Sequence, residues 1–149
     1  MAELELEIEI AAPPELVFAF FVPQRMPYWY SPEMQSCFEV QGGAAEFAAA
    51  QKLCIVGKIG KREVMLTAVV TRCEWGRLLE WRFQDAYGVQ GLQSWELSET
   101  AHGTRVRMRD SYDLPGRLGR VVDWLFTRFA VAHRDRTNLA RLKGLVERR

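Results

Sequence analysis

The chain has 149 residues, of which 48% are apolar, and this is enough material for one hydrophobic core. Its 20 basic and 19 acidic residues give a formal net charge of +1, so no overall field attracts nucleic acid or an anionic membrane. We therefore predict one domain over residues 1–149 and no nucleic-acid partner.

The N-terminus does not read as a secretory signal, because no basic stretch precedes an apolar run. No window approaches the roughly 18 to 20 uninterrupted apolar residues of a bilayer span, so we predict a cytoplasmic protein without an integral membrane segment. Cys37, Cys54 and Cys73 are odd in number and widely spaced, which favours reduced, mostly buried thiols over disulfides or a zinc site. Phosphate-loop, Gly-x-Ser-x-Gly and His-Glu-x-x-His motifs are missing, so we expect no metal and no cofactor.

The first 33 residues predict a strand followed by short helical pieces. Residues 4–10 alternate between Leu or Ile on one face and Glu on the other, which is typical of a half-buried strand. Ala12-Pro13-Pro14-Glu15 favours a helix start, because proline tolerates the first helical turn. Three prolines then divide residues 23–33 into short turns around Tyr28-Trp29-Tyr30, which is either a lid over a cavity or a packed connector.

Residues 34–112 read as successive strands broken by short glycine-containing turns. Such short links make consecutive strands antiparallel neighbours. Residues 44–56 alternate poorly, and we place a strand there. The inward positions that alternation predicts are Val64, Leu66, Ala68, Val70, Leu79, Trp81, Phe83, Gln93, Trp95, Leu97, Val106, Met108, Asp110 and Tyr112.

The C-terminal region, residues 117–147, contains no proline and predicts one long helix. Its spacing at 100° per residue indicates one apolar stripe facing the sheet. The predicted stripe comprises Leu118, Val121, Val122, Leu125, Phe129 and Ala132. The opposite, polar side comprises Arg120, Asp123, Arg134 and Arg141.

Several short motifs, taken together and in this order, carry a resemblance to a known superfamily. They are Ala12-Pro13-Pro14-Glu15-Leu16-Val17-Phe18, Met26-Pro27-Tyr28-Trp29, Trp81-Arg82-Phe83, Trp95-Glu96-Leu97, Gly103-Thr104-Arg105-Val106, Leu114-Pro115-Gly116 and Leu142-Lys143. From about residue 4 to 147 the chain resembles the START, polyketide cyclase/dehydratase and coenzyme-Q-binding superfamily.

That resemblance implies an α+β helix-grip fold. In it, a curved seven-stranded antiparallel sheet of order 1-7-6-5-4-3-2 wraps around a long C-terminal helix, with two short helices between strands 1 and 2. A cavity is expected between sheet and helix. The resemblance does not imply one reaction, because members include carriers and cyclases.

The implied pairing of the first and last strands predicts an ion-pair ladder on the outer face. Glu3, Glu5, Glu7 and Glu9 would then share the outer face with Arg105, Arg107 and Arg109. Each pair would contribute roughly 0.2 to 1 kcal/mol, and less when it is fully solvated. The alternative is two unrelated solvated faces.

The inward aromatic residues either fill a core or line a pocket for an apolar ligand. With the resemblance, we predict binding or transport of a small hydrophobic molecule that is a lipid, a quinone or polyketide-like. The alternative is a cyclase/dehydratase enzyme with an acid or base in the same cavity, and whether the chain is an enzyme stays open. The predicted ligand-binding residues are Trp29, Leu66, Trp81, Phe83, Trp95, Met108, Asp110, Tyr112, Leu125, Phe129 and His133. The sequence does not distinguish monomer from dimer.

Catalytic residues are not identified, and the two candidates for acid–base chemistry are Asp110 and His133. Asp110 is an inward carboxylate, which is costly to bury unless it is paired. Either it anchors a ligand, or it pairs with an arginine of the long helix or lies at the solvent end of its strand. His133 either transfers a proton or is satisfied by a backbone carbonyl, and Arg136 either joins the site or forms a structural ion pair.

Overall fold

A computed structural model describes residues 2–59, 61–85, 88–113, 116 and 128–148. Its seven described strands form one curved antiparallel sheet of order β1-β7-β6-β5-β4-β3-β2. The strands are β1 (Ala2–Ile10), β2 (Cys37–Val40), β3 (Lys52–Ile59), β4 (Arg62–Glu74), β5 (Leu78–Asp85), β6 (Gln90–Thr100) and β7 (Gly103–Asp113). The α-helices are α1 (Pro14–Phe18) and α2 (Arg128–Glu147), and short 3-10 turns cover Met26–Tyr28, Pro32–Met34 and Gln41–Gly43. The predicted α+β class and strand order are confirmed.

The two faces of the sheet follow the alternation in the sequence. Along β7, Val106, Met108 and Asp110 are buried, whereas Arg105 and Arg109 are exposed. The predicted inward positions of β5 and β6 are buried in the same way. Because side chains in a strand point alternately to opposite faces, a single register fixes the whole inner surface.

The outer face carries the predicted ion-pair ladder between β1 and β7. The register places Glu5 opposite Arg109, Glu7 opposite Arg107 and Glu9 opposite Arg105. The nitrogen–oxygen distances of the opposite and diagonal arginine–glutamate pairs run from 3.0 to 3.9 Å, and all of these side chains are 38 to 53% exposed. Exposed pairs of this kind contribute little individually, so the ladder favours the β1–β7 register more than it stabilises the fold.

Of the two described members of the predicted stripe, helix α2 buries Ala132 but not Phe129. Its buried residues are Ala132, Asp135, Asn138, Leu139, Leu142 and Val146. Phe129, which was assigned to the apolar stripe, is 73% exposed, and that prediction is wrong. Apolar spacing alone defines the predicted stripe, whereas the buried side of the helix also includes the polar residues Asp135 and Asn138. Residues 117–127, including Leu125, lie outside the described residues.

The C-terminal end of α2 docks against the end of β1. Lys143 Nζ donates to the backbone oxygen of Glu9 at 2.6 Å, and the backbone N–H of Ala11 donates to Glu147 Oε2 at 2.8 Å. Lys143 and Glu147 also form an ion pair of 3.0 Å within the helix. These bonds fix the helix beside β1.

Within the described part of the chain, no helix has the length and apolar character to cross a bilayer.

The strand placed in residues 44–56 begins later than expected. β3 starts at Lys52, and the preceding residues form turns. Gln51 closes the last turn, because its side chain accepts from the backbone N–H of Ala48 and donates to the backbone oxygen of Glu46. The alanine-rich stretch also lacks the β-branched residues that favour strands.

The cysteines are less buried than predicted. All three are free thiols; Cys37 is exposed, and Cys54 and Cys73 are partly buried. Partial burial raises the pKa of both the Cys54 and Cys73 thiols, so they stay protonated near neutrality.

Candidate functional site

The inner face of the sheet carries a layer of aromatic rings that meet edge to face. We call this layer the inner aromatic cluster; its members are Phe21, Trp29, Tyr30, Phe38, Phe47, Trp81 and Trp95. The rings of Trp81 and Trp95 lie 4.9 Å apart at 70°, and that of Tyr30 lies 6.2 Å from Trp81. Such contacts add to apolar burial and make a rigid wall.

Trp29 and Tyr30 enter this wall from the proline-broken segment. Trp29 is fully buried, and its Nε1 donates to the backbone oxygen of Phe20 at 2.9 Å. Tyr30 is 7% exposed, whereas Tyr28 is 68% exposed. Of the two interpretations, the packed connector therefore describes Trp29 and Tyr30, and Tyr28 alone projects outward.

Behind the aromatic wall lies a group of hydrogen-bonded polar side chains. We call it the inner polar cluster: Tyr30, Gln93, Asp110, Arg134 and Asp135. Gln93 on β6 faces Asp110 on β7 in the register, and its Nε2 donates to Asp110 Oδ2 at 3.3 Å. Gln93 Oε1 accepts from the Tyr30 hydroxyl and from Trp81 Nε1, both at 2.9 Å. One glutamine thus joins both clusters.

The guanidinium of Arg134 links strand β7 to helix α2. Its Nη2 donates to Asp110 Oδ2 at 3.0 Å and lies 3.2 Å from Asp135 Oδ1, to which Nε also donates. Asp110 is 2% exposed and Asp135 is fully buried, whereas the Arg134 side chain keeps 38% exposure. Asp110 is therefore paired with an arginine of the helix, as one alternative proposed, and the same guanidinium also pairs with the buried Asp135.

Burial shifts the titration of this cluster. It raises the pKa of Tyr30 to about 12, so the hydroxyl stays neutral. Burial would lower the pKa of Arg134, but electrostatic interactions with the neighbouring Tyr30, Asp135 and Asp110 side chains, together with the hydrogen bond to Asp135, raise it overall. Burial raises the pKa of Asp135 to about 8. The positive charge of Arg134 acts in the opposite direction, whereas the Asp110 carboxyl group raises the pKa further through its charge and through a hydrogen bond with Asp135. Arg134 is thus permanently charged, whereas Asp135 holds a proton near neutrality.

Several buried polar atoms lack a hydrogen-bond partner within the described part of the chain. They include Asp110 Oδ1, Asp135 Oδ2 and Trp95 Nε1. An unsatisfied buried polar atom costs about 1 to 3 kcal/mol, so such atoms usually meet a proton, a water or a ligand. The inner polar cluster consequently retains unused hydrogen-bonding capacity.

A second set of contacts fastens the turn after Tyr30 to the helix. The backbone N–H of Ser31 donates to Asn138 Oδ1 at 3.0 Å, and Glu33 pairs with Arg141 at 2.9 Å. Ser31 has a left-handed backbone, with φ of 46°, which a non-glycine residue adopts only at some cost. The helix therefore holds this turn, and with it Tyr30, in position.

The structure gathers most of the predicted site residues on one surface. Trp29, Trp81, Phe83, Trp95, Met108, Asp110 and Tyr112 are buried, and Leu66 is partly buried beside them. His133 is exposed and Phe129 also points outward, so the structure does not bring these two residues to the cluster. Leu125 lies outside the described residues. Arg136, expected on the centre of the stripe, is exposed as well.

The sequence interpretation missed Asp135 and misplaced Arg134. Both errors have the same cause, which is that the predicted stripe did not include the helix face that Asp135 shares with Leu139 and Leu142. An apolar spacing that includes Leu139, Leu142 and Val146 would have revealed the buried carboxylate.

Open depressions lie elsewhere on the surface. One of about 580 Å³ is lined by Thr67, Arg82 and Gln84 among others, and one of about 540 Å³ lies beside Trp75. Neither includes the inner polar cluster. The enclosed cavity between sheet and helix stays a prediction. Among the described residues, no group of three or more His, Cys, Asp or Glu side chains is arranged to hold a metal.

Comparison with known families agrees with this architecture. Residues 1–147 match the family described as polyketide cyclase / dehydrase and lipid transport, and the chain belongs to that family. Comparison with curated protein sequences gives no significant match.

Solved structures confirm the fold. A protein of unknown function from Staphylococcus aureus superposes with a TM-score of 0.79 at 15% identity, over 98% of this chain and 93% of that one. Protein CV1439 from Chromobacterium violaceum gives 0.74 at 17% identity over all of both chains. DynU16, described as a protein in the dynemicin biosynthetic locus, gives 0.67 at 19% identity, over 98% of this chain and 47% of its own. At these identities the likeness concerns the fold alone.

Proposed function

We propose that this chain binds a small hydrophobic molecule, such as a lipid, a quinone or a polyketide-like compound, between the sheet and α2. It does so as a one-domain protein of the cytoplasm. The observation that carries the proposal is the side chain of Arg134, which is 38% exposed as a whole yet is held by two buried carboxyl groups. Its Nη1 makes no hydrogen bond to a described residue, so it is available to a ligand oxygen.

The surroundings suit an apolar ligand with one polar end. Burial of apolar ligand surface contributes about 25 cal/mol per Å². A few fixed polar groups in an apolar lining then set the orientation of the ligand. The inner aromatic cluster supplies the apolar wall, and Arg134 supplies the polar contact. The family description, which includes lipid transport, supports the same role.

Binding is tested by thermal-shift screening and native mass spectrometry with lipids, quinones and aromatic ketones. We expect at least one class to raise the unfolding temperature and to remain bound as a single copy. Replacing Arg134→Lys keeps the charge but removes the fork of donors, so it should weaken binding at least about tenfold. Arg136→Lys, on the exposed side of the same helix, is the matched control. Absence of binding by any class, or equal loss in both variants, would contradict the proposal.

The second candidate function is a polyketide cyclase/dehydratase. It is favoured by one observation: Asp135 has a pKa of about 8 and lies beside Asp110. An acid–base pair of this kind takes a proton from an activated carbon and returns one to a departing hydroxyl, which leaves as water. Incubation with a linear poly-β-ketone should then yield a product lighter by one water. Asp135→Asn should abolish this conversion while leaving binding intact; unchanged conversion would exclude the role.

A further inference from the structure

The pairing of Asp110 with Arg134 does not by itself neutralise the inner polar cluster, because Asp135 adds a second carboxyl group. Two buried carboxyl groups, on β7 and α2, share one guanidinium. Among the described residues, the other titratable group that faces them is Tyr30, which stays neutral because burial raises its pKa. Gln93 adds no charge. If both acids were ionised, the cluster would carry one uncompensated negative charge in a buried place, which is strongly unfavourable.

The geometry offers one simple way to remove that charge. Asp110 and Asp135 each use one oxygen on Arg134, and both of these oxygens lie within 3.2 Å of the same nitrogen, Nη2. The remaining oxygens, Asp110 Oδ1 and Asp135 Oδ2, are buried and have no donor among the described residues. A single proton between the two acids supplies the missing donor and balances the charge. Carboxyl pairs in other proteins behave in this way.

We propose that Asp110 and Asp135 hold one proton between them, and that the neutral cluster so formed selects ligands with a neutral carbonyl or enol oxygen over ligands with a carboxylate.

The selectivity follows from the same charge balance. With one proton, Arg134 and the acid pair sum to zero, so a neutral carbonyl oxygen on Nη1 leaves the site neutral. A carboxylate would restore an uncompensated negative charge next to Asp110 and Asp135, where the low dielectric strengthens the repulsion. A quinone or a polyketide-like ketone therefore fits better than a fatty acid. This half of the proposal rests on the proposed function, whereas the shared proton does not.

The pH dependence of stability has a definite sign. The pKa of Asp135 is raised from 3.8 to about 8, so between these values the folded chain binds a proton that the unfolded chain has released. Stability from this proton is complete below the unfolded pKa and is lost as the pH rises through the folded one.

The shared proton is tested by denaturant unfolding from about pH 5 to about pH 8. The unfolding equilibrium constant of the unmodified protein should rise, relative to Asp135→Asn, by up to about tenfold per pH unit. The amide of Asp135→Asn can donate to the neighbouring carboxyl group of Asp110, so this variant should fold. Asp110→Asn is a second test of the pair, and Glu15→Gln, at an exposed position in α1, is the control. Parallel pH profiles of the unmodified protein and both aspartate variants would overturn the shared proton.

Infrared spectroscopy gives an independent readout without denaturation. The unmodified protein at neutral pH should show the carbonyl band of one protonated buried carboxyl group, and Asp135→Asn should remove it. If neither aspartate variant folds, this band in the unmodified protein decides the question, and its absence would refute the proposal.

Ligand selectivity is tested with 2-acetylnaphthalene and 2-naphthoate, which share a ring system and differ in charge. We expect the ketone to bind at least about tenfold more tightly at neutral pH, by calorimetry. Equal or tighter binding of the carboxylate would overturn the selectivity. Binding of neither compound, with a lipid bound in the screen, would overturn it as well. Binding of no compound in either experiment would instead overturn the proposed function, while the pH and infrared measurements still decide the proton.

Discussion

The hydroxyl of Tyr30 donates to the amide oxygen of Gln93, and the two atoms lie 2.9 Å apart in the interior. This bond joins the segment between β1 and β2 to the middle of β6. Since Gln93 also accepts from Trp81 and donates to Asp110, it connects the inner aromatic cluster with the acid pair. The order of the polar site therefore depends on a neutral glutamine as well as on its charged residues.

Replacing Tyr30→Phe should destabilise the protein by about 1 kcal/mol, the typical contribution of one hydrogen bond. The loss stays small because Gln93 Oε1 keeps its bond from Trp81. Urea unfolding measures the change. Tyr28→Phe alters a side chain that is 68% exposed and should leave stability unchanged. Equal effects of the two substitutions would show that the buried hydroxyl has no special role.

Replacing Gln93→Leu should cost more, at about 2 to 4 kcal/mol. The substitution leaves the Tyr30 hydroxyl and Trp81 Nε1 buried without their acceptor, and each unsatisfied group carries its own desolvation penalty. Gln84→Leu on the exposed face of β5 is the control and should stay within about 0.5 kcal/mol. A Gln93→Leu variant as stable as this control would contradict the central position of the glutamine.

Replacing each of two glycines by alanine should change the stability of the protein in opposite directions. At Gly91, a Cβ would collide with the backbone oxygen of Ser111 and lie 2.7 Å from the Phe83 ring, so Gly91→Ala should destabilise by about 1 to 3 kcal/mol. At Gly144, in α2, a Cβ meets nothing within 4 Å, so Gly144→Ala should stabilise by about 0.5 to 1 kcal/mol. Thermal unfolding of both variants tests the signs, and a stabilised Gly91→Ala would contradict the packing of β6.

The outer ladder should be weak and sensitive to salt. Arg107→Gln removes ion pairs to Glu5 and Glu7, and we expect a loss of about 0.2 to 1 kcal/mol at low ionic strength. This loss should shrink as salt is added, because exposed charges are screened. Arg72→Gln is the control, since Arg72 makes no ion pair within the described part of the chain. A salt-independent loss at Arg107 would indicate packing rather than charge.

The sheet was predictable from the sequence because a strand has a period of two. Once Glu5, Glu7 and Glu9 define the outer face of β1, the opposite positions Leu6 and Ile8 must face inward. The same rule places Asp110 inside. Outward and inward positions then agree with burial along β7, without information on distant contacts.

The buried face of helix α2 was harder to predict from the sequence, because it is partly polar. Phe129 attracted the apolar stripe, yet the buried face includes Asp135 and Asn138. Asp135 is held by the neighbouring Arg134, which Asp110 of β7 binds in turn, and Asn138 holds Ser31 of the distant turn. A stripe centred on Phe129 therefore leaves two of the five members of the inner polar cluster, Arg134 and Asp135, outside the predicted site, whereas a stripe through Leu139 and Leu142 includes Asp135.

The contacts between α2 and β1 also bear on the exposed edge of the sheet. β1 lies at one end of the strand order, and an edge strand is a template for intermolecular pairing. Lys143 and Glu147 occupy the hydrogen-bonding positions of Glu9 and Ala11 that an incoming strand from a second molecule would need. The bond from Ala11, together with Lys143, lowers the pKa of Glu147, so this obstruction persists into mildly acidic solution. The last turns of the helix thus leave these two backbone groups unavailable for strand pairing with a second chain.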